Sequence, residues 1–336
     1  MNITILGAGA WGTALAIALA NRHSVVLWGR DDEAIRNMAE RRENTAYLPG
    51  FPLPGAVAVS SDFDAAIAHV ARTGAQPDAL LIAACPVAGL RPLTERLKPY
   101  PIPNIVWLCK GIEENTNMLP HRIVRDVLGS AVPVGALSGP SFAQEVARCL
   151  PCALTAASDT ASLRELIVNV VHGRTIRVYS TDDLIGVEVG GAVKNVLAIA
   201  TGVIDGLGLG LNARAGLITR GLAEMIRLGT ALGGRAETFM GLTGVGDLIL
   251  TCTGDLSRNR TVGLKLAQGI KLDDIVQDLG HVAEGVRCAR AVYALATEHG
   301  IEMPITEAVA AVLFDTESPR DLVARMLSRD PRDETP

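Results

Sequence analysis

Residues 2–31 read NITILGAGAWGTALAIALANRHSVVLWGRD. Asn2 to Leu6 is a short, partly β-branched run and predicts a strand. Gly7 to Gly12 predicts a turn, Thr13 to Asn21 an Ala- and Leu-rich helix, and Ser24 to Trp28 a second strand. That is one βαβ unit with G-x-G-x-x-G at its first turn. Gly7 suits a tight turn, Gly9 lets a pyrophosphate approach the backbone, and Gly12 lets helix and strand pack closely. The helix N-terminus is then placed to hold phosphate charge. At the end of the second strand, Arg30 is placed for the 2′-phosphate of NADP(H), with Gly29 clearing space. Asp31 stands one residue later and keeps NAD(H) open. The apolar start resembles a signal peptide, but no Lys or Arg precedes it and three glycines interrupt it.

At 336 residues the chain exceeds the usual limit of one hydrophobic core, so two domains are expected. It is 49% hydrophobic and 20% charged, which excludes a disordered chain. A net charge of -5 argues against a chain-wide nucleic-acid footprint. Of six cysteines, only Cys149 and Cys152 form a C-x-x-C. No second pair stands at zinc-site spacing, so both are expected to be buried small residues and no metal is expected. The apolar stretch GVEVGGAVKNVLAIATGVIDG carries Glu188, Lys194 and Asp205, which argues against a membrane span.

Residues 79–84 and 105–109 are continuous apolar runs, as expected of parallel strands covered on both faces. Residues 132–137 and 153–157 predict further strands, and 31–42 a helix. From about 180 helical segments dominate, over 183–204, 212–232, 236–241, 259–268, 271–279, 284–299 and 304–314. The expected architecture is α/β: a Rossmann-type doubly wound domain over 1–185, then an all-helical domain over 186–336. The last residues, RDPRDETP, are expected to fray.

Several residues carry potential chemistry. Lys194 is a lone cation in an apolar, glycine-flanked helix, where burial lowers a lysine pKa toward a useful range. It reads as a general acid and base, with Asn195 beside it able to hold a hydroxyl. The competing reading is a lysine that snorkels or forms a structural ion pair. Lys110 follows the strand over 105–109, where a parallel sheet faces its ligand; a plain surface lysine is the alternative. In Gly139-Pro140-Ser141-Phe142-Ala143, Pro140 in a first helical turn leaves N–H donors for an anion, or simply starts a helix. Asp247 follows a Gly-rich run and can orient Lys194 or bind a substrate hydroxyl. Ser257, Arg258 and Asn259 offer a phosphate cradle at one helix start, with Arg260 turned away; a capped basic helix start is the alternative.

The blocks GAGAWGTALA, CKGIE, SGPSFAQE, VGGAVKNV, GLNARAGLITRGLAEM, LTGVGDLILTCTGDLSRNR and VAEG stand in the order found in bacterial NAD(P)-dependent glycerol-3-phosphate dehydrogenases, which the chain resembles over about residues 1–315. The resemblance implies reversible reduction of dihydroxyacetone phosphate to glycerol 3-phosphate for phospholipid synthesis, in a cytoplasmic homodimer. It implies Lys194 as the proton acceptor, with Lys110, Gly139, Ser141, Lys194, Asp247, Ser257, Arg258 and Asn259 at the substrate. Gly7, Gly9, Trp11, Gly12, Arg30, Lys110, Ala143, Arg258, Val282 and Glu284 are expected at the cofactor. Ala10 departs from the family, which commonly has Ser or Thr there, so a hydroxyl toward the cofactor is lost. Two other functions fit parts of the pattern. A related β-hydroxy acid dehydrogenase also pairs such a turn with a helical lysine, and a non-catalytic dinucleotide sensor would keep its lysines only for structure.

Overall fold

The computed structural model describes residues 1–71, 79–279, 283–315 and 317–328. Eight strands form one sheet: β1 Asn2–Leu6, β2 Ser24–Trp28, β3 Val57–Ser60, β4 Ala79–Ala83, β5 Ile105–Trp107, β6 Val134–Ser138, β7 Cys152–Ala157 and β8 Ile176–Thr181. Their order is β3-β2-β1-β4-β5-β6-β7-β8. Neighbours run parallel except β6 and β7. The chain builds outward from β1 to β3, then returns to the other side of β1 with β4. The gap between the ends of β1 and β4 is therefore the topological switch point, where such sheets bind ligands.

Helices α1 Ala10–Leu19, α2 Asp32–Arg41, α3 Phe63–Ala68, α4 Val87–Leu97, α5 Pro120–Leu128, α6 Ala143–Ala147 and α7 Ala161–Val171 accompany the sheet. One apolar cluster includes Ile3, Ile5, Leu15, Leu27, Leu80 and Ile82. The other face buries Leu6, Phe63, Leu81, Trp107 and Ile123. Helix α1 begins three residues earlier than its composition predicts, because Gly9 is already its N-cap and the Thr13 N–H reaches the Gly9 carbonyl at 3.0 Å. The sequence leaves β3, β8 and α3 to α7 unassigned. β3 buries only Val57 fully, β8 alternates buried and exposed residues at the sheet edge, and α4 carries Pro92 inside it. α5, by contrast, buries Ile123 and Val124 on one face of an amphipathic helix that was not singled out from sequence.

Two local expectations are corrected. Helix α6 starts at Ala143 with Phe142 as N-cap, so Pro140 lies outside its first turn. Gly139 follows β6 at φ +122°, a conformation L-residues avoid, and residues 140–142 lead from it to α6. Cys149 is exposed rather than buried, with φ +57°, and Cys152 is half-buried. Cys149 lies in the tight link from α6 to β7, whereas Cys152 begins β7 and packs against the sheet core.

The second half comprises α8 Leu184–Gly206, α9 Gly210–Ala231, α10 Ala236–Phe239, a π turn Leu242–Gly246, α11 Asp247–Thr253, α12 Arg258–Ala267, α13 Leu272–Asp278, α14 Glu284–Glu298, α15 Pro304–Phe314 and α16 Pro319–Leu327. α8 is its axis. Leu184 and Val187 belong to the sheet core, whereas Val189, Val193, Val196 and Leu197 belong to the helical core. The helix is long and apolar enough to cross a membrane, but its most apolar window is wholly buried inside the protein. Its charged residues are accordingly partnered, as Glu188 is by the backbone N–H and ring of His121. Burial raises the Glu188 carboxyl pKa above its ordinary value. The expected frayed tail at 329–336 lies outside the described residues.

Glycines let α12 press onto α8. A Cβ on Gly202 would stand 2.1 Å from the Arg260 carbonyl, and one on Gly263 would stand 2.0 Å from the Ile199 carbonyl. Gly202→Ala and Gly263→Ala should each destabilise the protein by about 1–3 kcal/mol, despite alanine's better helix propensity. Thermal unfolding followed by circular dichroism measures this, and unchanged melting would mean that the helices can separate freely.

Candidate active site

Three peptide segments converge on one buried carboxylate. β5 ends two residues before Cys109 and delivers Lys110 at the carboxyl edge of the sheet. The Lys110 ammonium donates to the Gly139 carbonyl at 2.9 Å and to Asp247 Oδ2 at 2.6 Å. From the middle of α8, Lys194 donates to Asp247 Oδ1 at 2.6 Å and to Thr251 Oγ1 at 2.9 Å. Thr251, one turn beyond Asp247 on α11, donates its own hydroxyl proton to the Asp247 carbonyl at 2.6 Å. Each carboxylate oxygen thus holds one ammonium group.

Backbone packing makes room for this. Gly191 lies against the Lys110 stem, where a Cβ would meet Cγ at 3.3 Å. Gly190 lies against the π turn, where a Cβ would stand 2.7 Å from the Thr243 carbonyl. The widened turn immediately precedes Asp247, and such single π turns recur at functional sites.

Burial lowers the Lys194 pKa from 10.5 to about 8. The Asp247 charge opposes that shift, and the nearby Lys110 charge adds to it. Burial alone would push the Asp247 carboxyl up, but the two lysine charges outweigh it and hold the group below its ordinary range. The Asp247, Lys110 and Lys194 cluster is a buried unit with one excess positive charge while all three groups are ionised.

A second polar chain ties the surrounding elements together. The Gly285 N–H donates to Asn259 Oδ1 at 3.0 Å, Asn259 Nδ2 donates to Asn195 Oδ1 at 3.0 Å, and Asn195 Nδ2 donates to the Lys110 carbonyl at 3.1 Å. Asn195 also donates to the Gly191 carbonyl, so both its N–H groups are committed within the protein rather than left for a hydroxyl. Ser257 caps α12, accepting from the Arg260 N–H at 3.2 Å. Arg260 turns away to pair with Asp205 and Asp255. Arg258 opens α12 exposed, with no hydrogen bond or ion pair to the described residues. Burial raises the Glu284 carboxyl, against the opposing pull of the Val87 N–H and of the charges on Arg258, Lys194 and Lys110. Glu284 therefore sets the helical half against the start of α4.

That start of α4 adjoins the glycine turn. Gly7 has φ +129°, and a Cβ there would stand 2.4 Å from the Ala84 carbonyl. A Cβ on Gly12 would stand 2.1 Å from the Gly7 carbonyl, but one on Gly9 would meet nothing within 4 Å. The turn is thus packed from below and open at Gly9, the shape a pyrophosphate needs above a helix N-terminus. Trp11 and Ala143 are half-buried near the starts of α1 and α6. Arg30 is exposed beyond β2, while Asp31 Oδ1 caps α2, accepting from Glu33 and Ala34 N–H groups at 3.0 and 2.9 Å. Val282 lies outside the described residues.

Two family models cover most of the chain: the N-terminal part of NAD-dependent glycerol-3-phosphate dehydrogenase matches residues 2–164, and its C-terminal part matches 183–324. The glycerol-3-phosphate dehydrogenase [NAD(P)+] of Herminiimonas arsenicoxydans is 70% identical over 334 residues, covering 99% of each chain. The chain belongs to the NAD-dependent glycerol-3-phosphate dehydrogenase family. Among solved members of that family, the Coxiella burnetii enzyme superposes with a TM-score of 0.91 at 42% identity, covering 97% of this chain and 98% of that one. The Saccharomyces cerevisiae enzyme superposes with a TM-score of 0.81 at 26% identity, covering 98% and 99%. The family's two-part fold, a parallel-dominated sheet followed by helices, is the fold described above.

Of the residues expected at the substrate, Lys110, Gly139, Ser141, Lys194 and Asp247 form one hydrogen-bonded group, in which the Ser141 hydroxyl donates to the Gly139 carbonyl at 3.0 Å. Asn259 joins it through Asn195. Thr251 was not singled out from sequence; its only signal is its place one helical turn after Asp247.

Asp247→Asn would leave two ammonium groups without their carboxylate. It should cost about 3–5 kcal/mol at pH 7, the usual price of breaking a buried pair. The sign with pH follows from Lys194: its charged form is penalised by burial, and above its pKa of about 8 it is neutral. The loss in urea-unfolding stability should accordingly be smaller near pH 9.5 than at pH 7, and a pH-independent loss would contradict this electrostatic account.

Proposed function

We propose that this protein is a NAD(P)H-dependent dehydrogenase that interconverts dihydroxyacetone phosphate and sn-glycerol 3-phosphate. The observation that carries the reading is the Lys194 ammonium, desolvated and held by Asp247 and Thr251 beside Lys110. Membership of the family supports the same activity. In this reading residues 1–185 form the cofactor half and residues 186–336 the substrate half. A cytoplasmic homodimer supplying phospholipid synthesis follows from the family resemblance.

When bound, the nicotinamide supplies hydride to the carbonyl carbon. The protein's own task is to hold the substrate and move one proton. Arg258, exposed and unpaired among the described residues, grips the phosphate with the Ser257 hydroxyl beside it. Lys194 gives its proton to the oxygen during reduction and takes it back during oxidation. Asp247 fixes Nζ in place, and burial brings its pKa down to about 8, near the working pH. The excess positive charge of the cluster suits a phosphorylated substrate. A carboxylate substrate has no comparable need for the Ser257 and Arg258 donors.

Cofactor preference in this reading falls to NADPH. Asp31 is engaged as a helix cap, whereas Arg30 is exposed at the strand end where a 2′-phosphate sits. The open N–H edge at Gly9 fits the pyrophosphate of either form.

Lys194→Ala should lower turnover by at least about 10²-fold while leaving NADPH binding nearly intact. In the wild type, oxidation should rise as pH passes about 8, because it needs the neutral amine, and reduction should fall over the same range. Steady-state rates in both directions, with cofactor titration, test this; near-normal turnover in the variant would end the proposal. Arg30→Ala should raise KM for NADPH about tenfold with little change for NADH. Parallel NADPH and NADH kinetics measure that difference, and equal losses would assign Arg30 no part in the preference.

A further inference from the structure

The glycine turn is held from behind by the loop between α2 and β3. Residues 42–57 close on themselves: the Arg42 guanidinium donates to the carbonyls of Pro54 and Val57, and the Leu53 N–H donates to the Arg42 carbonyl at 2.7 Å. The Gly50 N–H reaches Glu43 Oε1 at 2.8 Å. One side chain leaves this loop for the turn. Asn44, only 2% exposed, donates from Nδ2 to the Ala8 carbonyl at 2.9 Å and to Thr13 Oγ1 at 2.8 Å. Its Oδ1 accepts the Tyr47 N–H at 3.2 Å. The assignment of the amide is forced, since the Ala8 carbonyl can only accept and the Tyr47 N–H can only donate.

The Ala8–Gly9 peptide is planar and trans, so its carbonyl and its N–H point in opposite directions. Asn44 draws the Ala8 carbonyl toward the loop. The Gly9 N–H must then face away from it. That N–H donates to nothing among the described residues, and the direction of a Gly9 Cβ is empty to 4 Å. An oriented, unsatisfied donor beside open space at a helix N-terminus is a prepared anion contact. Without Asn44, rotation of this one peptide plane would present a carbonyl oxygen to the phosphate instead.

We propose that Asn44 is a positioning residue that locks the Ala8–Gly9 peptide so that the Gly9 N–H faces the cofactor pyrophosphate. The proposal rests on the reading that a dinucleotide lies on this turn. Asn44 touches no reacting atom; it acts through the backbone it holds.

The test uses the full chain with Asn44→Ala and Asn44→Asp. Asn44→Asp keeps an acceptor for the Tyr47 N–H, and so the loop, but sets a carboxylate against the Ala8 carbonyl. NADPH is titrated by its fluorescence, and adenosine 2′-monophosphate, which lacks the pyrophosphate, by calorimetry. Both variants should weaken NADPH by about tenfold to a hundredfold, the worth of a hydrogen bond to a charged group. Adenosine 2′-monophosphate should stay within about twofold of the wild type. At saturating NADPH kcat should be close to the wild-type value, with KM for NADPH carrying the loss. NADPH affinity within about twofold of wild type in either folded variant overturns the proposal, as does an equal loss for both ligands, which would signal general collapse of the loop. If Asn44→Ala does not fold, Asn44→Asp decides by the same criteria. A wild-type protein that bound no NADPH would instead defeat the reading of the turn itself.

Discussion

One carboxylate shared by two buried ammonium groups governs the architecture of the second half. Asp247 would be costly to bury alone, and so would either lysine. Together they are stable only with short contacts on both carboxylate oxygens, which is what the structure shows. That requirement fixes the end of β5, the centre of α8 and the start of α11 relative to one another. It also explains the glycines around them. Gly190 admits a backbone turn at a distance no Cβ would allow, and Gly191 a lysine stem at one that would be tight for a Cβ. The surplus positive charge left inside favours an anionic ligand.

The glycine turn and the lysine cluster belong to different cores, yet a short chain of contacts joins them. Ala84 packs under Gly7 and Gly12, and three residues later the Val87 N–H meets Glu284. Asn259 and Asn195 then connect the start of α14 to the Lys110 backbone. The two halves thus meet through hydrogen bonds as well as through apolar packing.

Much of this was legible in the sequence where the signal is local. The first βαβ unit, the long helices after 180 and the oddity of a lone lysine in an apolar helix are all properties of short windows. Lys194 and Asp247 stood out as charges among apolar and glycine residues, Lys110 as a cation at a strand end, and Arg258 as a guanidinium at a helix start. Less was legible where the cause is distant. Lys110 and Asp247 are separated by 137 positions, and nothing local to either announces the pair. Asn195 looked free to bind a ligand because its partners, Lys110 and Asn259, lie far away along the chain. The π turn before Asp247 has no residue signature beyond its glycines. Cys149 was misjudged because a link with φ +57° holds it at the surface, regardless of its apolar character. β8 stayed hidden because an edge strand with one wet face carries no continuous apolar run.

Helix α8 is clamped at both ends and carries Lys194 partway along its length. Asp183 caps its first turn and also receives Arg235 and Thr238, while Leu184 and Val187 are embedded with the sheet. At about 1.5 Å per residue, Lys194 lies roughly 15 Å from that cap and the far end roughly 33 Å. The far end is held as well: Asp205 pairs with Arg214 and Arg260, and Gly202 lies against α12. A rod pinned at both ends keeps an amine borne between its supports in register with the carboxylate it meets.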